Sequence, residues 1–219
     1  MFSGDGQYRV EDIDTSLCTH IIYSFVILDE YQHIIKVHDS WLDLSRSGRY
    51  SRSLGNFRKF TSLKQSNPSA KYMVAIGGWN DSKMKKYSEL LASSIKIDRF
   101  VEHAVAFLKE HGFDGLDLDY EYPNYDGHGH VAPHSDKAGF TLLCQKLSEV
   151  FKVHNYELTA AVSASKNIID EGYDIPQISK YLDAIHLMSY DMHGSWEKFV
   201  NHHSPLFGTH SDLMTTDFA

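Results

Sequence analysis

An α/β fold with a parallel sheet is predicted by two features of the chain and supported by a third. Five apolar, β-rich runs recur along the 219 residues: His20–Leu28, Tyr72–Gly78, Phe113–Glu121, Glu157–Ala164 and Ala184–Tyr190. Helix-like segments separate them, and strand–helix alternation is the signature of parallel βαβ units. The runs are nearly continuously apolar, as strands are when helices cover the sheet. No glycine-rich phosphate fingerprint follows the first run, which disfavours a nucleotide-binding open sheet. Alternation alone leaves both a barrel and an open doubly wound sheet standing.

The helices follow in order. Leu54, Phe57, Phe60 and Leu63 suggest one before the Asn67-Pro68 break. The clearest spans Asp98 to His111, with Val101, Ala104, Val105 and Leu108 at helical spacing. Asp98 is expected to cap its start and Gly112 to end it. A third, Asp136–Val153, aligns Phe140, Leu143, Cys144, Leu147 and Phe151 on one face, and a short one covers Ile175–Leu182. No element is expected after Trp196. The chain reads as a single domain, residues 1–219.

Composition narrows the function classes. A formal net charge of −8 argues against a nucleic-acid or anionic-membrane partner, since both need basic patches. No apolar stretch approaches the roughly 20 residues of a membrane span. The opening residues lack the apolar core of a signal peptide. Cys18 and Cys144 are expected to be buried free thiols, although spacing leaves a disulfide open. His128, His130 and His134 share a loop with Gly127 and Gly129, and His202-His203 forms a second cluster. With no His-Glu-x-x-His or Cys-x-x-Cys spacing, neither is expected to hold a metal, and no cofactor is expected.

The third run carries the chemistry. Strand side chains alternate between faces, so Asp117, Asp119 and Glu121 share one face and Leu116, Leu118 and Tyr120 the other. The leucines suit covering helices, which turns the three acids into the opposite side of the sheet. Carboxylates stacked roughly 6–7 Å apart and partly desolvated cannot all ionise cheaply. At least one pKa is expected to rise, as a general acid requires. Asp114, on the other parity, reads as structural.

Here the chain resembles a known family. Asp114-x-x-Asp117-x-Asp119-x-Glu121, followed by Tyr122-Pro123, resembles the signature of family-18 chitinases, with Tyr120 where the family usually has Trp. Cys18–Phe25, Ala75–Asn80 and Leu187–Trp196 resemble its second, third and sixth strand regions in the same order. The resemblance implies a (β/α)₈ TIM barrel of which strands two to six are recognisable, with no recognisable counterpart of strands one, seven and eight. A full barrel takes about 250 residues. The family's eighth-strand tryptophan and the usual disulfide partner of Cys18 have no counterpart.

The implied activity is hydrolysis of β-1,4-linked N-acetylglucosamine polymers, chitin or chitooligosaccharides, outside the cell. The implied mechanism is substrate-assisted and retaining. Glu121 would be general acid and base, Asp119 would hold the acetamido N–H, and Asp117 would share its proton. Tyr190 and Asp191 would contact the acetamido oxygen and a nearby sugar group. Trp79 and Trp196 would stack on sugars, while Phe25, Met188, Gly78 and Tyr122 would line the cleft. The alternatives are a catalytically silent chitinase-like lectin, an inactive partial chain, and an endo-N-acetylglucosaminidase acting on N-glycan cores. Lectin-like relatives commonly lack the catalytic glutamate, and Glu121 is present. Asn80-Asp81-Ser82 is a formal glycosylation sequon at the expected cleft mouth, where a glycan would obstruct substrate. As given, the chain is expected to be poorly active and to associate through two apolar sheet edges, Ile21–Ile27 and Ile185–Met188.

Overall fold

The computed structural model describes residues 4–48, 51–125, 135–198 and 200–207. Two 3₁₀ turns, Val10–Asp12 and Thr15–Leu17, lead into β1 (His20–Leu28). A short β2 (Ile35–Lys36), α1 (Ser40–Asp43) and the hairpin β3 (Arg46–Gly48) and β4 (Ser51–Ser53) follow. Then come α2 (Asn56–Ser62), β5 (Lys71–Gly77), α3 (Lys86–Leu91) and α4 (Ser94–His111). The chain continues through β6 (Gly115–Asp119), α5 (Asp136–His154), β7 (Glu157–Ser163), α6 (Lys166–Gly172), α7 (Ile175–Ile178) and β8 (Ala184–Met188).

The main sheet has the order β2-β1-β5-β6-β7-β8. Every pairing from β1 to β8 is parallel, and only β2 runs antiparallel. The five predicted strands therefore sit side by side in sequence order, as in consecutive βα units of a barrel wall.

Parity sorts the two faces. Tyr72, Val74 and Ile76 of β5, Leu116 and Leu118 of β6, and Leu158, Ala160 and Val162 of β7 enter one buried apolar cluster. The same cluster takes Phe100, Ala104 and Leu108 from α4 and Phe140, Leu143, Cys144 and Leu147 from α5. Burying side chains of this size stabilises by roughly 1.5–3 kcal/mol each before chain entropy is counted. The alternate strand positions, Ala75, Asp117 and Thr159, face away from these helices; the first two are partners in register, as are the last two.

Local chemistry sets the boundaries. The Ser93 hydroxyl accepts the Lys96 N–H, so α4 begins one turn before the expected Asp98. Asp98 instead lies within the helix and pairs with Lys146 of α5. Gly112, at φ 76°, ends α4 as expected, with its N–H returning to Leu108 O at 2.8 Å. Leu54 stands outside α2 and is 53% exposed. The last short helix stops at Ile178 rather than Leu182. Asp114 is structural: it pairs with Lys64 at 2.5 Å and accepts the Tyr72 N–H at 2.9 Å, joining the entries of β5 and β6.

Two further expectations are corrected. Both cysteines are free, but only Cys144 is buried; Cys18 is exposed, because it lies in the connection before β1 and not on a packed face. The edge of β1 is not bare along its length: Ile27 and Leu28 pair with Lys36 and Ile35. The other edge strand keeps Ile185 and Leu187 exposed at 38% and 43%, the helix-side positions of β8. Among the described residues, none after Met188 forms a helix or strand. The His128, His130 and His134 loop lies outside the described residues.

Candidate active site

A cleft of about 1270 Å³ opens at the C-terminal ends of β1, β5, β6, β7 and β8. Its floor and walls include Phe25, Gly78, Trp79, Asp119, Glu121, Tyr122, Met188, Tyr190, Asp191 and Trp196. Ten of the eleven residues singled out from the sequence thus border one space. The eleventh, Asp117, lies one strand repeat below Asp119 and is buried.

The acids occupy graded environments. The Thr159 hydroxyl donates to Asp117 Oδ1 at 2.6 Å, and His186 Nδ1 lies 3.7 Å from the same oxygen. Burial raises the Asp117 pKa, while the Thr159 bond and His186 pull it back. Asp119 has no such relief. Its Oδ1 is buried and has no hydrogen-bond partner among the described residues. Burial, then Glu121, then Asp117 push its pKa up to about 7. Glu121 is also raised, by burial first, with a Tyr122 hydrogen bond opposing and Asp191 adding. A buried carboxyl surrounded by like charge keeps its proton to higher pH. The expected pKa rise therefore falls on all three acids.

Close backbone approach holds this stack in place. Gly77 adopts φ 120°, and an added Cβ would lie 2.2 Å from Asp119 O. The next amide, Gly78 N–H, donates to that same carbonyl at 2.9 Å. The Glu121 N–H is bound by the Ser82 hydroxyl at 3.0 Å. Within the Asn80-Asp81-Ser82 sequon, Ser82 is buried with its hydroxyl committed, while Asn80 is exposed. Behind the strand, Tyr120 faces the helices as expected. Its ring stacks on Tyr87 at 4.7 Å and its hydroxyl donates to buried Asp136 at 3.0 Å.

Tyr190 and Asp191 reach the cleft from β8, two strands from β6 in the sheet. The charges of Asp119 and Glu121 act on the Tyr190 phenol, although burial is the larger cause of its raised pKa. Asp191 has φ 55° and is bound by His203, Nε2 to Oδ1 at 2.6 Å. The Tyr190 and His203 rings stack at 6.3 Å.

Several supporting groups escaped the sequence reading. Asp81 Oδ2 accepts the Leu28 N–H at 3.0 Å and the Tyr87 hydroxyl at 2.7 Å, while Oδ1 pairs with Lys86. Lys86 Nζ also donates to Leu28 O at 2.8 Å. This buried clamp binds both backbone groups at the end of β1 to the turn that carries Trp79. Asp81 follows Gly77-Gly78-Trp79-Asn80 directly, the one local sign of its place; Thr159 and His186 gave none, and His203 stood out only as half of a histidine pair.

The family profile described as glycosyl hydrolases family 18 matches residues 1–219. The chain belongs to glycosyl hydrolase family 18. It is 42% identical over 214 residues to Probable chitinase 2 of Drosophila melanogaster, covering 98% of this chain and 42% of the relative. It is 44% identical over 206 residues to an Endochitinase of Manduca sexta, covering 93% of this chain and 35% of the relative. A solved mutant of Ostrinia furnacalis Group II chitinase catalytic domain 2, in complex with (NAG)5, superposes with a TM-score of 0.88 at 41% identity. That match covers 98% of this chain and 54% of the other. The chain thus spans about half or less of the length of these family members. Its parallel sheet is a section of the family-18 (β/α)₈ barrel, which decides between the two architectures left open by strand–helix alternation.

Proposed function

We propose that this chain is a single catalytic unit that hydrolyses β-1,4-linked N-acetylglucosamine polymers outside the cell, with Glu121 as general acid and base. The observation that carries the reading is the Asp117–Asp119–Glu121 stack, which ends in the cleft with every member held above the ordinary carboxyl pKa. A protonated Glu121 donates to the glycosidic oxygen as the bond to the anomeric carbon breaks. The substrate's own acetamido carbonyl oxygen forms the new bond to that carbon, giving an oxazolinium ion with no protein nucleophile. Asp119 accepts the acetamido N–H and balances the positive charge; its unpartnered Oδ1 suits that acceptor role. Asp117 takes up the proton that Asp119 gives. Tyr190 and Asp191 hold the acetamido oxygen and a sugar hydroxyl. Glu121, now ionised, removes a proton from water as it opens the oxazolinium with net retention.

Trp79 and Trp196, 44% and 64% exposed, offer apolar faces to sugar rings. Phe25, Gly78, Met188 and Tyr122 shape the floor between them. The relatives named as chitinases and the (NAG)5 complex support the choice of substrate. The presence of Glu121 favours an enzyme over a silent lectin.

Glu121→Gln keeps the shape of the side chain but cannot donate a carboxylic-acid proton. Turnover of a fluorogenic chitooligosaccharide is expected to fall at least about 10²-fold, with binding largely retained. The comparison is made in residues 1–219 and in the chain extended to a whole barrel. Near-normal turnover by the variant would remove Glu121 as the acid.

A further inference from the structure

Just beyond the catalytic strand, the segment Tyr122–Tyr125 makes a tight turn whose use lies outside the chemistry described above. The Tyr125 N–H returns to Tyr122 O at 3.2 Å. Asn124 sits at φ 60°, a conformation that asparagine tolerates better than most residues, and its amide donates to Glu171 O at 2.7 Å. Gly172 packs against Pro123, where a Cβ would lie 2.7 Å from the Pro123 carbonyl oxygen. The turn is thereby docked on the end of α6 and presents Tyr125 in a defined place.

That place is the cleft wall. The Tyr125 ring meets Trp79 at 6.4 Å with planes inclined by 46°, and Tyr122 edge-on at 5.7 Å. Tyr122 packs against the buried apolar cluster; among the described residues, Tyr125 is not one of those that do so. A half-buried aromatic ring held by a braced turn, inclined to an exposed tryptophan and outside the core, matches a ligand-facing wall. We propose that Tyr125 is a substrate-contacting residue that pairs with Trp79 to hold an additional sugar of the chain, and so sets the preference for longer oligosaccharides. This rests on the chitooligosaccharide reading of the cleft. The recognition is of an N-acetylglucosamine ring by its apolar C–H face and by hydrogen bonds to the phenol, on the β5–β6 side of the cleft, away from the β8 loop that bears Trp196.

The test uses the Glu121→Gln protein, so that ligand stays intact, and measures binding of the N-acetylglucosamine dimer and hexamer by calorimetry. Adding Tyr125→Ala is expected to weaken hexamer binding by about three- to tenfold, the scale of one aromatic contact. Dimer binding and the melting temperature are expected to change little, and Tyr125→Phe to recover most of the loss. In the active chain, Tyr125→Ala is expected to raise KM for the hexamer while kcat holds. Hexamer binding unchanged by Tyr125→Ala would overturn the proposal. So would an equal loss for both lengths accompanied by a lower melting temperature, which marks a structural residue. Failure of the Glu121→Gln parent to bind either sugar would instead sink the reading of the cleft itself.

Discussion

β6 and β8 both deliver proposed catalytic groups to the same cleft, yet they are built in opposite ways. All five residues of β6 are buried, and it is paired on both sides, by β5 and by β7. β8 pairs only with β7 among the described residues, and four of its five residues are not buried. The acids of β6 are therefore positioned by register and by packing from two directions. Tyr190 and Asp191 are positioned by contacts within their own segment, chiefly with His203. The groups whose charge is hardest to accommodate sit on a strand that is buried throughout and paired on both sides.

The comparison breaks first on stability. Leu116 of β6 is fully buried, whereas Leu187 of β8 is 43% exposed. Leu116→Ala is expected to cost about 2–5 kcal/mol, the range for a buried leucine. Leu187→Ala should cost under about 1 kcal/mol, since half its surface already meets water. Urea unfolding of the two variants in the same chain measures both. Equal losses would mean that β8 is as tightly packed in solution as β6.

A second test uses pH, because the buried acids of β6 are held at a cost. The Asp119 pKa is raised from 3.8 to about 7. Its proton is thus bound more tightly in the folded chain than in the unfolded one. The associated stability is fully present below about pH 4 and is lost as pH rises through about 7. Asp119→Asn removes this dependence, since an amide does not titrate. The variant is expected to match the wild type more closely at pH 4.5 and to exceed it at pH 8. A shift of about three units sets a ceiling of about 4 kcal/mol on that gain. Activity should fall even as stability rises. A variant less stable than wild type at pH 8 would show that Asp119 is ionised and well solvated.

These contrasts also mark what a sequence can reveal. The five strands were legible because burial on both faces makes each a continuous apolar run, and the side of each acid followed from period-two alternation. Glu121, Asp119 and Asp117 needed no more than that. The start of α4 was missed because Ser93 and Asp98 are both competent caps and only the packing of Ile97 and Phe100 decides between them. Helix α6 was missed because Lys166–Gly172 is short and mostly polar, and it buries only Gly172. The Asp81–Lys86 clamp and the Asp117–Thr159 pair are contacts across 58 and 42 positions of sequence at their widest, invisible to any local pattern. Barrel and open sheet share the same local rhythm; sequence motifs separated them where periodicity could not.

The smallest expected effect falls on β8, and it is the sharpest probe of how that strand is organised. His203 binds Asp191 through Nε2, stacks on Tyr190 and receives the Met192 N–H on its backbone carbonyl at 3.1 Å. The pair is exposed, His203 and Asp191 having side chains 60% and 70% open to water, so it adds little to folding. Its value is positional: Asp191 stands at φ 55°, a conformation that local contacts must hold. His203→Gln keeps a hydrogen-bonding side chain but loses the flat ring that stacks on Tyr190. The melting temperature is expected to stay nearly constant. KM for chitooligosaccharide should rise by a few-fold, on the order of 0.5–1 kcal/mol in binding, because the proposed roles of Tyr190 and Asp191 have them meet the sugar before any bond breaks. An unchanged KM would show that the β8 residues keep their places without His203, and that the strand is less dependent on its own segment than its exposure implies. A fall in kcat with KM constant would move the effect of His203 from placing Tyr190 and Asp191 for binding to placing them for the reacting step itself.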